Sequence, residues 1–199
     1  MPKIVDHEAR RSAIAAAACR VIGEGGLASA TMRDIAAEAG CTTGMVLHYF
    51  RNKEELLLAA LGSASQAVAD RMAARLAIPT ADLYDLLCEC LPLDDRRRLE
   101  WRVWIAFWDT AVRNPDLAAE QRARYRTWRE ALHLVLATCG HPPQAALEEA
   151  AEALMVVIDG IGIQAVFDTE RWPPERQETQ MRKQVGHILD ELTAPQQPR

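Results

Sequence analysis

Between Thr31 and Phe50 the chain reads TMRDIAAEAGCTTGMVLHYF, and this segment gathers side chains suited to reading a nucleic-acid duplex. Thr42, at a helix N-cap, and Thr43 carry hydroxyls where backbone amides also favour phosphate. Gly44 leaves the main chain bare where it must approach closely. Met45 and Leu47 offer apolar surface for a thymine methyl, while His48 and Tyr49 can reach phosphates. A two-turn helix presenting these residues fits a major groove about 12 Å wide. A second set lies further along. Trp101, Trp104 and Trp108 fall at i, i+3 and i+7 with Phe107 beside them, and Tyr125 and Trp128 form another pair at i, i+3. Aromatic faces attract cations, so these rings suit a quaternary ammonium ligand, with Glu100 and Asp109 able to add charge; core packing is the alternative for any one ring.

Other chemistry finds little support. Cys19, Cys41, Cys88, Cys90 and Cys139 are odd in number and contain no CxxC pair, which reads as reduced thiols. The five histidines are scattered, so no metal site and no cofactor is expected. Gly160-Ile161-Gly162 lacks the third glycine and the preceding strand of a dinucleotide site. His48, Asp159 and His187 are the best acid–base candidates for an all-helical enzyme, yet no nucleophile motif accompanies them.

Charge is distributed unevenly. The 199 residues carry a formal net charge of −5, but residues 1–53 hold seven basic and five acidic side chains, and the remainder sixteen against twenty-three. Phosphate contacts depend on local charge, so an acidic body does not exclude a DNA-binding head. No apolar run reaches the ~18 residues of a membrane-spanning helix, and MPKIVDHEARR has no apolar stretch behind its charges. The expectation is a soluble, cytoplasmic protein with no membrane partner.

These residues must be positioned by helices. Alternating strand patterns are nearly absent, apolar positions recur at helical spacing, and Gly and Pro cluster between the periodic stretches. The pattern predicts an all-α chain of about nine helices. The first ends at Gly23, Gly25 and Gly26; the second starts behind Thr31 with Asp34 completing a capping box and stops at Gly40; the third spans Thr43 to Phe50. Asn52 caps a long fourth helix with Glu55 as box partner. Asn114-Pro115 starts the seventh. Three helices with a glycine turn between the second and third form a helix-turn-helix head. The eighth helix is apolar nearly all round from Leu154 to Phe167, which requires cover on more than one side. A two-fold homodimer interface through Leu154, Ile158, Ile161 and Ala165 supplies it, and burial within one chain is the alternative.

The string TTGMVLHYFRNKEELL, with Gly25, Gly26, Thr31, Ile35, Ala36, Gly40, Gly44, Tyr49, Phe50 and Lys53, resembles the head of the TetR family of transcriptional repressors. The resemblance covers about residues 8–60. The N-terminal MPK, the same string and WIAFW at 104–108 look like the choline-responsive repressors of glycine betaine synthesis. The resemblance implies that Lys53 contacts phosphate and that Thr31 and Arg33 face the neighbouring DNA backbone. Thr31 can equally be only a cap, and Tyr49 mainly core. The resemblance further implies a head at residues 1–51 and a ligand-sensing and dimerisation body at 52–192, and TAPQQPR at 193–199, without periodicity, is expected to be a disordered tail. Double-stranded DNA and a small-molecule inducer, with choline or another quaternary ammonium compound leading, are the partners implied. An inducer among helices five to eight would shift the fourth helix. A TetR-fold factor without a ligand is the second reading.

Overall fold

In the computed structural model residues 7–137 and 143–193 are described. Among them nine helices and no strand occur: α1 His7–Ser29, α2 Met32–Glu38, α3 Thr43–Tyr49, α4 Lys53–Leu76, α5 Leu83–Cys88, α6 Asp95–Ala111, α7 Pro115–Leu136, α8 Gln144–Phe167 and α9 Pro174–Thr193. The chain forms two compact units, Met1–Arg71 with Asp94–Thr110, and Met72–Leu93 with Ala111–Arg199. The first unit thus holds α6 and most of α4 together with α1, α2 and α3. The expected tail beyond Thr193, and Cys139, lie outside the described residues.

The first unit is built on α1, α2, α3, α4 to Arg71, and α6. Its core includes Ile14, Ala18 and Ile22 of α1, Ile35 and Ala36 of α2, Val46 of α3, Phe50, Leu57 and Leu61 of α4, and Val103 and Phe107 of α6. α1 breaks within its glycine run. It continues through Gly25 and kinks at Gly26, where φ is 77°. Gly23 serves close packing instead: a Cβ there would lie 2.7 Å from the Leu99 carbonyl oxygen on α6. A backbone atom cannot yield as a side-chain tip can, so this position admits no side chain without moving a helix.

A second constraint ties α6 to α4. Glu100 is buried, and the Arg71 guanidinium donates to both carboxylate oxygens at 3.0 and 2.8 Å, with Arg96 3.7 Å away. A carboxylate withdrawn from water needs such a partner. Asn52 caps α4 by accepting from the Glu55 amide at 2.8 Å. The reciprocal bond runs from the Arg51 amide to Glu55, one residue earlier than a capping box would place it. Burial pushes the Cys19 thiol up to about 11, in keeping with an inert thiol.

In the second unit α8 packs against α9 and α7, and α9 against α5. Gln177, buried, donates from Nε2 to the Trp172 carbonyl at 2.9 Å. The proposed interface residues need correction here. Leu154, Ile158, Ile161 and Ala165 are already buried in one chain, so intramolecular packing covers that face. The apolar residues left out are Val156, 72% exposed, and Phe167, 75% exposed. By length and hydropathy α8 is also apolar enough to cross a membrane; in this unit it packs against α7 and α9.

Two substitutions test the α6 anchorage. Arg71→Ala should lower unfolding free energy by about 3–5 kcal/mol in urea titrations, because it strands a buried carboxylate. Gly23→Ala should cost about 1–3 kcal/mol by overpacking against Leu99, against the small gain expected of alanine in an open helix.

Candidate functional site

The α2–α3 region is assembled mostly by local chemistry. Thr31 accepts from the Asp34 amide at 3.1 Å, and the Thr31 amide donates to Asp34 at 3.2 Å. The Thr31 hydroxyl holds the Asp34 carboxyl below its usual range. Gly40, at φ 61°, makes the left-handed turn out of α2, and the Cys41 amide donates back to the Ala36 carbonyl at 2.9 Å. Thr42 then caps α3 by accepting from the Met45 amide at 3.2 Å. Arg20 of α1 pairs with Glu38 of α2.

α3 is held from one side. Val46 and Phe50 have no exposed surface, while Thr42, Gly44, Met45, Leu47 and His48 are exposed and Thr43 and Tyr49 half-buried. The residues proposed to read DNA thus share the outward side of a helix pinned by its two buried apolar groups. Cys41 is half-buried. Thr31 and Arg33 are exposed beside this surface.

Three non-local hydrogen bonds tie this surface to α1. The Tyr49 hydroxyl lies 3.0 Å from His7 Nδ1, and the rings of His7, His48 and Tyr49 form one group with centroids 5.1 to 6.5 Å apart. His7 was missed from sequence because 42 residues separate it from Tyr49, and nothing local signals the pairing. Tyr49 is therefore oriented by α1 as well as packed. Lys53 donates to the Ala28 carbonyl at 3.2 Å and the Leu27 carbonyl at 3.4 Å, at the end of α1. An ammonium has three donors, so one remains for a phosphate. The Arg11 guanidinium sits over the Phe50 ring, 4.9 Å from its centroid.

The aromatic candidates fall into two places. On α6, Trp101 and Trp108 meet edge to face with centroids 6.1 Å apart, and Trp104 lies 6.2 Å from Trp108. Trp104 and Trp108 are half-buried and Trp101 is buried. Phe107 has no exposed surface and belongs to the core rather than to a pocket wall. Glu100 is held by Arg71 and is not a free counter-charge. Tyr125 and Trp128 lie on α7 in the second unit, where the Tyr125 hydroxyl donates to Asp159 at 2.9 Å. Burial, with Asp159 beside it, pushes the Tyr125 hydroxyl up to about 12. Of the acid–base candidates, Asp159 alone is withdrawn from solvent; His48 and His187 are exposed.

Residues 14–60 match the family described as "Bacterial regulatory proteins, tetR family", and residues 79–190 match "BetI-type transcriptional repressor, C-terminal". The HTH-type transcriptional regulator PksA of Bacillus subtilis is 32% identical over 100% of this chain and 99% of its own length. The HTH-type transcriptional regulator BetI of Paraburkholderia phytofirmans is 31% identical over 85% of this chain and 88% of its own. Among solved structures, a putative transcriptional regulator from Saccharomonospora viridis in complex with choline superposes with a TM-score of 0.73 at 27% identity, covering 90% of this chain and 96% of that one. The multidrug binding protein EbrR complexed with proflavin gives 0.55 at 30% identity over 88% and 99%. With a matched helix-turn-helix head and a matched body, the chain belongs to the TetR family of DNA-binding transcriptional regulators, its C-terminal part being of the BetI type.

Proposed function

We propose that this regulator is a cytoplasmic homodimeric repressor that releases a roughly palindromic operator when its body binds a small molecule. The observation that carries the DNA half of the reading is the outward surface of α3: Val46 and Phe50 fix the helix from below and leave Gly44, Met45, Leu47 and His48 for a major groove. Thr42, Thr43 and Tyr49 complete that surface, and Thr31, Arg33 and Lys53 contact the flanking phosphates. Residues 1–51 act as the DNA-binding head and 52–192 as the sensing and dimerisation body.

Ligand response is supported by the Trp101, Trp104 and Trp108 cluster on α6 and by Tyr125 and Trp128 on α7. It is also supported by the choline and proflavin held in the two structural neighbours. A quaternary ammonium inducer suits these rings. Movement of α6 has two direct routes to the other helices of the head's unit, the Leu99 backbone against Gly23 of α1 and Glu100 on Arg71 of α4. The inducer must bind the DNA-incompetent state more tightly, since only differential affinity moves the equilibrium.

The dimer is formed through α8 and α9, with Val156 and Phe167 as the apolar residues a second copy would cover. A two-fold contact brings each residue near the same surface of its partner.

Sequencing of duplexes selected by the protein should return a palindromic consensus; retention of random DNA at moderate salt would overturn the reading. Lys53→Gln should weaken all duplexes alike and lower the salt slope by about 1, whereas Thr43→Val or Met45→Ala should shift base preference by about 1–3 kcal/mol at single positions. In sedimentation, Val156→Asp with Phe167→Asp should yield a folded monomer. Ile158→Asp should unfold the chain, because it buries a charge inside one subunit.

A further inference from the structure

We infer that Asp159, Tyr125 and Gln121 form a recognition site for a small organic cation on α7 and α8, with Asp159 supplying the counter-charge. The inference rests on the ligand-responsive reading above and names the polar end of that response.

Asp159 is the one charged residue between Ala153 and Phe167, set in the most apolar helix of the chain. It is part-buried, and burial raises its carboxyl above the ordinary range even though the Tyr125 hydroxyl donates to it. Among the described residues that hydroxyl, 2.9 Å away, is its one hydrogen-bond partner, and no arginine, lysine or histidine pairs with it. Other acids withdrawn from water in this protein are treated differently. Glu100 receives two bonds from Arg71, and Glu89 receives two from Arg75 at 3.1 and 2.7 Å.

Gln121 sits one turn before Tyr125 on the same side of α7, close enough for its amide to bear on the Tyr125 hydroxyl. Both polar atoms of its side chain are nevertheless buried without a hydrogen-bond partner. A carboxylate has about four acceptor positions and an amide offers donors and an acceptor, so most of the bonding capacity here is unused. Unsatisfied buried polar groups are costly, and a chain that pairs its other buried acids leaves these converging groups for a ligand. The complement of a carboxylate, a phenol and an amide in apolar surroundings is an organic cation. A hydroxyl or N–H on that cation would engage Gln121, and the onium would lie against Asp159 and the Tyr125 ring.

The test is calorimetric titration of the full dimer with choline, with proflavin, and with 3,3-dimethylbutan-1-ol, the neutral carbon analogue of choline. At least one of the two cations should bind saturably and raise the melting temperature, and the neutral analogue should bind about tenfold more weakly or worse. Asp159→Asn, close to isosteric and relieved of a buried charge, should fold and still bind the selected operator. It should lose about tenfold or more in cation affinity, with the neutral analogue unchanged. Gln121→Leu should weaken choline and leave a cation without a hydroxyl, tetramethylammonium, unaffected. Equal cation affinity in wild type and Asp159→Asn, equal affinity for choline and its analogue, or no binding of either cation would overturn the inference. Failure to select any duplex would instead overturn the DNA-binding reading, which the titration does not touch.

Discussion

Glu100 cannot be buried alone, and the way it is satisfied organises the head's unit. Its carboxylate draws Arg71 off the α4 surface into a bidentate pair, which sets the position of α4 relative to α6. One residue earlier the Leu99 backbone lies where a side chain at position 23 would stand, so α1 meets α6 only because that position is glycine. One residue later Trp101 begins the tryptophan cluster. Three consecutive residues thus connect α1, α4 and the aromatic stripe, and α6 is placed to pass a change at its tryptophans to two helices of the head's unit. Packed cores deform in discrete steps rather than continuously, which is what a switch requires.

The head adds a contrast between specification and support. The outward side chains of α3 make few intramolecular bonds, as residues meant for a duplex must, while their placement depends on groups that never reach it. Val46 and Phe50 bury fully, Thr42 and Thr31 cap, Gly40 turns the chain, and His7 orients Tyr49. Lys53 belongs to both sets, since it closes the carbonyls at the end of α1 and retains a donor. The aim of the surface is thereby tied to α1, which also meets α6 at Gly23.

Legibility in the sequence followed range. The caps at Thr31, Thr42 and Asn114, the turn at Gly40 and the starts of α4 and α7 are decided within four residues, and spacing revealed them. The packing role of Gly23 was not legible, because that glycine answers to Leu99, far along the chain, rather than to its neighbours. The pairs Arg71–Glu100, Tyr125–Asp159 and His7–Tyr49 span 29, 34 and 42 residues and leave no periodic trace. The inner face of α8 was not legible for a related reason. Hydrophobicity all round a helix does not say which face the chain itself will cover, and the Leu154, Ile158, Ile161, Ala165 face proved to be the inner one. Phe107 looked equivalent to the tryptophans beside it, but it lies at i+4 from Val103 and shares that residue's buried face.

In the proposed switch, ligand binding in the body and operator binding by the head are one thermodynamically linked process. Its most direct test is a closed cycle, with operator affinity measured by anisotropy with and without saturating choline and choline affinity measured by calorimetry with and without operator. The two ratios should agree, with each ligand weakening the other by about 5- to 150-fold. An operator affinity unchanged at saturating choline, with choline demonstrably bound, would contradict the account.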